Sequence, residues 1–326
     1  MKRRILSILG CLLLGVSAVS PDAWAQYSPG GLFSLARSGD IEGLKKLLEK
    51  KPNQFLLDNA LEAAMIGQQP EAVTLLHEHG ANLNYINPDG TALLVNAIML
   101  DSPQIAQHLL ELGADPDIIG YHRLYYGYTM DWKWTPLMAA SFQGDLATAS
   151  FLLEKGADVN AFGYSVSVED KETAADIAAY SGQMEILDLL LKNGGKLDNN
   201  AIFKAARGGH LQVVRFLLKQ GYDVNGIIGP RQKTLLMEAA WWGHLPLVEF
   251  LIQEGADINA ADVNGFTALS DAAENGGAEF PHQLDIVKLL VENGADVRQA
   301  GDFKLTPLMR AQNPDVIKFL IEAGAE

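Results

Sequence analysis

Cysteine is almost absent from this sequence. The 326 residues include a single cysteine, Cys11. One thiol can form no disulfide within the chain, and a cysteine-ligated metal site needs several thiols. The sequence therefore excludes a disulfide-stapled scaffold, and we expect an apolar core to hold the fold together.

Basic residues are also scarce. Lysine and arginine number 25 against 40 aspartates and glutamates, which gives a formal net charge of −15. Nucleic-acid phosphates and anionic membrane surfaces both attract clustered lysine and arginine, so we expect neither as a partner. The charge is compatible with the steering of a basic protein partner. It is equally compatible with an acidic surface that only keeps the protein soluble.

Motifs for catalysis are missing as well. The sequence contains no phosphate-binding loop, dinucleotide fingerprint or nucleophile elbow. His77 and His79 flank Glu78, but residues two apart do not face each other on a helix, so we expect no metal there. His210 and His244 each follow a glycine at a turn, which indicates a structural role. We predict no catalytic residues, no metal and no cofactor. A catalytic protein with an unrecognised site and a small-ligand or metal binder are the alternatives.

One stretch contains the unit that the rest of the chain repeats. Residues 234–259 begin with Thr234, a good N-cap, and continue as a short apolar helix up to a break at Gly243. A second amphipathic helix follows and ends at Gly255, because glycine adopts the left-handed conformation without a Cβ clash. The apolar positions at helical spacing are Leu235, Leu236, Ala239, Ala240, Leu247, Val248, Leu251 and Ile252. A unit this small needs copies on either side to bury its apolar face.

Each copy contains a Gly-Ala-Asp motif or a closely similar sequence. This motif recurs at Gly80, Gly113, Gly156, Gly194, Gly221, Gly255, Gly294 and Gly324, at spacings of roughly 27 to 43 residues. Thr-Pro-Leu at 135–137 and 306–308 recurs in register with it. The pattern resembles the ankyrin repeat family over roughly residues 31–326. The resemblance implies an all-α fold, an ankyrin-repeat α-solenoid of about eight to nine helix–turn–helix units with short β-turn fingers.

The resemblance also implies a simple domain organisation. One solenoid would occupy residues 26–326, with an N-terminal cap at 31–53 and a C-terminal cap repeat at 301–326. One departure concerns the histidine that the family usually has after Thr-Pro-Leu. Methionines take its place, so we expect apolar packing instead of a polar network at Met138, Met237 and Met309.

An insertion between Asp117 and Thr135 is rich in aromatic residues. Its rings belong to Tyr121, Tyr125, Tyr126, Tyr128, Trp132 and Trp134. Tyrosine and tryptophan dominate binding hot spots, so the segment 118–134 is a predicted protein-binding site. The alternative is a local mini-core that covers the neighbouring turn. Two further insertions occur at 162–172 and 276–283.

Ankyrin-like proteins usually meet their partners on the concave face, near the residue that follows the Ala-Ala pair of each first helix. The equivalent residues here are Arg37, Met65, Ile98, Phe142, Tyr180, Arg207, Trp241, Trp242 and Glu274. The middle of this row is apolar or aromatic, which is typical of an interaction site. We therefore predict that Phe142, Tyr180, Arg207, Trp241 and Trp242 bind protein. The alternative is that Phe142 and Trp242 are buried between repeats.

The N-terminal residues have the pattern of a secretory signal peptide. Lys2, Arg3 and Arg4 precede an apolar run over residues 5–19, and Ala23-Trp24-Ala25 is an A-x-A cleavage site. We expect cleavage after Ala25 and a periplasmic location. The alternative, an uncleaved anchor, is disfavoured because the run is shorter than the roughly 20 residues of a spanning helix.

These observations predict a non-enzymatic periplasmic scaffold for protein–protein interaction. It would bind another protein through the concave aromatic face and the insertion, as a monomer, with no nucleic acid and no membrane insertion after signal cleavage. One alternative is an immunity or inhibitor protein against a periplasmic toxin or hydrolase. Another is an accessory factor of a periplasmic stress enzyme such as a catalase.

The signal peptide leads to the first prediction. Mature protein from a periplasmic extract should begin at Gln26, which N-terminal sequencing and intact mass measure. The reason is that the cleavage motif ends at Ala25. Protein that retains Met1 in the cytosolic fraction would contradict the prediction.

Overall fold

The computed structural model describes residues 31–122, 132–164, 171–197, 200–274 and 282–326. The predicted signal peptide at 1–25 lies outside the described residues. So do Tyr125, Tyr126 and Tyr128, and all but the last two residues of the insertion at 276–283.

The described residues contain eighteen α-helices, which follow one another as nine pairs. The first helices are α1 (Leu32–Ser38), α3 (Gln54–Ile66), α5 (Leu93–Met99), α7 (Pro136–Gln143), α9 (Ala174–Tyr180), α11 (Asn200–Arg207), α13 (Leu235–Trp241), α15 (Ala268–Glu274) and α17 (Pro307–Arg310). The second helices are α2 (Ile41–Leu48), α4 (Pro70–Glu78), α6 (Pro103–Glu111), α8 (Leu146–Glu154), α10 (Met184–Lys192), α12 (Leu211–Lys219), α14 (Leu245–Gln253), α16 (Gln283–Glu292) and α18 (Pro314–Glu322). The predicted helical repeat fold is confirmed. None of the helices in these ranges is long and apolar enough to cross a membrane.

The chain forms two compact units, each with its own core. Of the described residues, those up to 174 and those at 189–195 belong to unit 1, and those at 175–188 and from 196 onward belong to unit 2. In both units the first helices bury alanines, such as Ala139 and Ala239, and the second helices bury leucines, such as Leu152 and Leu251. Small side chains on the first helices let neighbouring backbones approach closely, while the larger leucines fill the space behind them.

The N-cap predicted at Thr234 forms, and Thr135 and Thr306 cap their helices in the same way. The Thr135, Thr234 and Thr306 hydroxyl oxygens each accept a hydrogen bond from the backbone N–H three residues later. Those N–H groups belong to the methionines that replace the usual histidine. Met138 and Met237 are fully buried, so apolar packing replaces a polar network at both. The same prediction is wrong for Met309, whose side chain is 63% exposed. Its helix α17 has four residues, too few to cover every side chain, and packs on α15 and α18.

Polar side chains in the fingers connect each repeat to the next. In unit 2 the Asp257 N–H donates to Asn225 Oδ1 at 2.8 Å, and the Asp296 N–H donates to Asn259 Oδ1 at 2.9 Å. The Asn225 amide also donates to the Gly255 carbonyl at 3.4 Å. Equivalent bonds in unit 1 run from the Asp115 N–H to Asn84 and from the Asp158 N–H to Asp117. The Asp- and Asn-rich turns thus connect consecutive repeats, and their side-chain oxygens accept hydrogen bonds from backbone N–H groups of the following repeat.

The first two insertions contribute the strands of a four-stranded sheet. The sequence predicted only short β-turn fingers. The strands of the sheet are β1 (Gly120–His122), β2 (Trp132–Trp134), β3 (Phe162–Tyr164) and β4 (Lys171–Thr173), hydrogen-bonded in that order. All neighbouring pairs are antiparallel, and the whole sheet belongs to unit 1. Unit 2 has a separate two-stranded hairpin, β5 (Ile227–Ile228) with β6 (Lys233–Thr234).

The His244 ring packs against Gly209, a glycine of the preceding repeat. His244 Nε2 lies 2.8 Å from the Arg207 carbonyl oxygen. Gly209 has a φ of +72°, and a Cβ there would lie 2.5 Å from the His244 ring. Glycine is needed at this position both for its left-handed conformation and for the space that it leaves. This contact confirms the structural role predicted for His244.

The packing of second helices gives the second prediction. Leu251 is fully buried in α14, which packs on α12 and α16. Leu251→Ala should lower the free energy of unfolding by about 2–5 kcal/mol, because it leaves a cavity between repeats. Urea titration followed by circular dichroism measures this. Leu100→Ala is the matched control, since Leu100 is 50% exposed, and a Leu251→Ala loss below about 1 kcal/mol would contradict the packing.

The histidine–glycine contact gives the third prediction. Gly209→Ala should destabilise the protein by roughly 1–2 kcal/mol through left-handed strain, and by about 1 kcal/mol more because His244 must give up its hydrogen bond. Gly221→Ala is the control: Gly221 has a φ of +99°, and an added Cβ would meet no neighbouring atom within 4 Å, so strain alone acts there. Equal unfolding midpoints for the two variants would show that the His244 contact contributes nothing.

Candidate functional site

The predicted binding residues of the repeats share one position in their repeats. Each lies at the C-terminal end of a first helix: Phe142 in α7, Tyr180 in α9, Arg207 in α11 and Trp241 in α13, with Trp242 directly after it. Phe142 belongs to unit 1 and the other four to unit 2. Arg207 is exposed, and the four rings are partly exposed rather than buried. The alternative in which Phe142 and Trp242 are fully buried is therefore wrong.

Two cations lie against the tryptophans of unit 2. The Lys233 ammonium nitrogen is 5.1 Å from the Trp241 ring centroid, and the Arg207 guanidinium carbon is 4.9 Å from that of Trp242. The Trp242 Nε1–H donates to Glu238 Oε2 at 3.2 Å. Cations at this distance are attracted to the ring face. Both rings are thereby held in one orientation while part of each stays accessible to a partner.

A network of charged side chains lies behind the tryptophans. The Lys233 ammonium is 3.0 Å from an Asp271 carboxylate oxygen and 3.9 Å from one of Glu238. Arg310 is 3.8 Å from Asp271 and is also paired with Glu274. Burial raises the pKa of Asp271 above its usual range, although the charges of Lys233 and Arg310 act in the opposite direction. The network fixes Lys233, and through it the position of Trp241.

The network corresponds to a sequence pattern that the repeat motif alone does not reveal. A charged residue stands directly before the alanine pair of several first helices. These residues are Glu62, Lys204, Glu238 and Asp271, and Arg310 stands before the single Ala311. Because the repeats are stacked in register, residues at one repeat position become neighbours. Arg310, for example, lies 3.8 Å from Asp271 on the preceding first helix.

The structure corrects the prediction for Trp134. Its side chain is fully buried, and its ring centroid lies 5.1 Å from that of Phe142 at an interplanar angle of 51°. The residue is in β2, where successive side chains point to opposite faces of the sheet. Trp134 points inward and exposed Lys133 points outward. Trp134 therefore belongs to the core and offers nothing to a partner, which agrees with the mini-core alternative.

The other aromatic residues of the insertion divide into two groups. Tyr121, in β1, is partly exposed. Trp132 lies in β2; the structure describes its backbone and not its side chain. Tyr125, Tyr126 and Tyr128 lie outside the described residues, so their predicted role in binding stays a prediction.

The sequence pattern also places Met65 and Ile98 on the concave face, and the structure does not. Met65 is fully buried and Ile98 is 3% exposed. Both side chains therefore belong to the core and not to the concave face. Arg37 is exposed and Glu274 is partly exposed, as expected of the polar ends of the row.

Several histidines of the described ranges contact the backbone. His77 Nδ1 lies 3.2 Å from the Ala81 carbonyl oxygen, and His79 Nδ1 lies 2.8 Å from that of Leu75. Burial lowers the pKa of His210 below its usual value, which favours the neutral ring. Within the described ranges, no group of three or more His, Cys, Asp or Glu side chains could hold a metal ion.

Comparison with known proteins places these repeats in a family. A family profile described as ankyrin repeats (3 copies) matches residues 32–119, 122–200, 175–262 and 236–326. Ankyrin repeat and KH domain-containing protein mask-1 of Caenorhabditis elegans is 28% identical over 307 residues, which are 89% of this chain and 11% of that protein. The related protein mask of Drosophila melanogaster is 33% identical over 96 residues, which are 27% of this chain and 2% of that protein.

The fold is also found among solved structures. The crystal structure of the human ASB11 ankyrin repeat domain has a TM-score of 0.57 and 22% sequence identity, and covers 72% of this chain and 98% of that one. The likeness to ASB11 concerns the fold alone. This chain spans about a tenth or less of the curated relatives named above. Because the ankyrin profile matches nearly all of residues 32–326, the chain belongs to the ankyrin repeat family.

Proposed function

We propose that this protein is a non-enzymatic scaffold that binds another protein in the periplasm after removal of its signal peptide. Ankyrin repeats are generally protein–protein interaction modules. The periplasmic location is supported by the cleavage motif at Ala23-Trp24-Ala25 and the basic residues that precede the apolar run. The low positive charge of the chain favours a protein partner over nucleic acid.

The observation that carries the proposal is the pair of tryptophans at the end of α13. Trp241 and Trp242 are partly exposed, and each has a cation against its ring. Tryptophan and arginine are among the residues most enriched in binding hot spots. We define Tyr180, Arg207, Trp241 and Trp242 as the tryptophan face, all of it within unit 2.

The surroundings of the tryptophan face prepare it for binding. Side chains that must be immobilised on association each cost about 0.5–1.5 kcal/mol. Trp242 is already hydrogen-bonded to Glu238, and Lys233 is already ion-paired with Asp271. Less freedom is therefore lost when a partner docks. The expected partner surface offers apolar groups to the ring edges and hydrogen-bond acceptors to Arg207.

The fourth prediction concerns this face. The mature protein should capture a partner from periplasmic extract, identified by mass spectrometry. Trp241→Ala should then weaken binding of that purified partner about thirtyfold, because a buried hot-spot side chain contributes about 2 kcal/mol or more. Isothermal titration calorimetry measures the affinity.

Its controls separate binding from folding. Phe55→Ala removes a ring that is 50% exposed, on α3 of unit 1, and should leave affinity unchanged. Thermal unfolding of Trp241→Ala should stay close to that of the unmodified protein, since the ring is not in the core. A folded Trp241→Ala variant with full affinity would refute the tryptophan face as the binding site.

A further inference from the structure

The four-stranded sheet of unit 1 aligns aromatic and basic residues in one row. In its register Tyr121 pairs with Lys133, Lys133 with Tyr164, and Tyr164 with Lys171. Cross-strand partners lie on the same face of a sheet, so Tyr121, Lys133 and Lys171 share a face. Adjacent strands are about 4.8 Å apart, so the row extends for about 14 Å. Phe162 pairs with Thr173, two positions along each strand, on the same face.

This face of the sheet points to solvent. Trp134 is buried on the opposite face, and its neighbour Lys133 is exposed. Phe162 is 41% exposed, Lys171 is exposed, and Tyr121 is partly exposed. The outward face thus offers two rings and two ammonium groups next to one another.

The two lysines lie against the two rings. Lys133 Nζ is 5.0 Å from the Tyr121 ring centroid, and Lys171 Nζ is 4.4 Å from that of Phe162. Cation–ring contacts of this kind are weakly attractive at exposed sites, which is enough to favour one position for each amine. The cations are therefore partly pre-organised, and the rings provide apolar surface beside them.

The charge of this face is opposite to that of the whole chain. Glu172 lies between Lys171 and Thr173 in β4, so strand alternation places it on the other face. Among the described outward positions of the four strands there is no carboxylate, whereas the chain as a whole has a formal net charge of −15. A local basic surface on an acidic protein selects for an anionic partner group.

We propose that Tyr121, Lys133, Phe162 and Lys171, which we call the lysine–aromatic face, bind an extended acidic segment of a partner protein. Carboxylates of the segment pair with the two amines, and its apolar side chains cover the two rings. This proposal rests on the proposed function in one respect, that the chain binds a protein. It adds a second binding surface and states that this surface recognises acidic and apolar side chains.

Charge decides between an acidic peptide and a single-stranded nucleic acid. Aromatic and basic residues on a sheet can also bind single strands by stacking. However, affinity for nucleic acid depends on many phosphate contacts, and here two lysines would have to overcome the repulsion of a strongly acidic chain. A segment with two or three carboxylates meets far less repulsion. At roughly 3.3 Å per residue, four or five extended residues span the row.

The test uses three fluorescein-labelled probes and measures anisotropy. The first is a peptide of about eight residues in which Glu and Leu take turns at every second position, with Ser between them. In the extended conformation Glu and Leu then point to the same side, and the peptide is long enough to cross the row. The second has Gln in place of Glu, and the third is an oligothymidylate of equal length. The full mature protein should bind the Glu peptide, at least about tenfold more tightly than the Gln peptide, and less tightly as salt is raised.

Substitutions locate the site. Lys171→Gln should weaken binding of the Glu peptide about fivefold, since one exposed charge pair contributes up to about 1 kcal/mol, and Lys133→Gln with Lys171→Gln should weaken it about tenfold or more. The matched control is Lys155→Gln. Lys155 Nζ lies 5.1 Å from the Phe151 ring centroid, so this variant removes the same charge from the same kind of contact elsewhere in unit 1. It should leave affinity unchanged.

Several outcomes would overturn the inference. They are equal binding of the Glu and Gln peptides, equal loss in Lys155→Gln and Lys171→Gln, no binding at about 1 mM peptide, or preference for the oligothymidylate. A concentration-dependent dimer that the double variant abolishes, seen by analytical ultracentrifugation, would assign the face to a second copy instead. The peptide assay needs no natural partner. Its failure is thus distinct from retention of the captured partner by Trp241→Ala, which would overturn the tryptophan face alone.

Discussion

The hydrogen bond between fingers of consecutive repeats is the constraint on which the rest of each unit depends. When the Asp257 N–H donates to Asn225, and the Asp296 N–H to Asn259, each repeat is set at a defined offset from the one before. A fixed offset means that one repeat position is always next to the same position in the neighbouring repeat. Asp271 and Arg310, which each stand before an alanine of their first helix, are brought within 3.8 Å of each other in this way.

Features that lie within one repeat could be predicted from the sequence, and most of those that lie between repeats could not. The Thr234 cap and the end of α14 near Gly255 follow from local chemistry, and the structure has both. The contact of Lys233 with Asp271 joins residues 38 positions apart and depends on how the repeats stack. The prediction for Trp134 is wrong because it treats the insertion as a loop, although the Trp-Lys-Trp alternation has the period of a strand.

The buried charges set the geometry of the site more than they stabilise the fold. Removing Asp271 and Arg310 from water costs free energy that ion pairing only partly returns, and the raised pKa of Asp271 reflects that cost. The arrangement makes sense as a means of orientation. Lys233 reaches Asp271, Glu238 and the Trp241 ring at once, so the position of the ring is linked to the next repeat.

The finger bonds also bear on how such an array can change in length. Each joint within a unit uses a side-chain oxygen of the preceding repeat and a backbone N–H of the following one. Because the donor is a backbone group, any repeat without proline at that position can supply it to an Asn or Asp of the repeat before. Duplication or loss of a whole repeat within the gene would therefore leave a matching joint at the new boundary. The lysine–aromatic face, which is built on two insertions, is by contrast tied to two particular repeats and would not be copied by adding others.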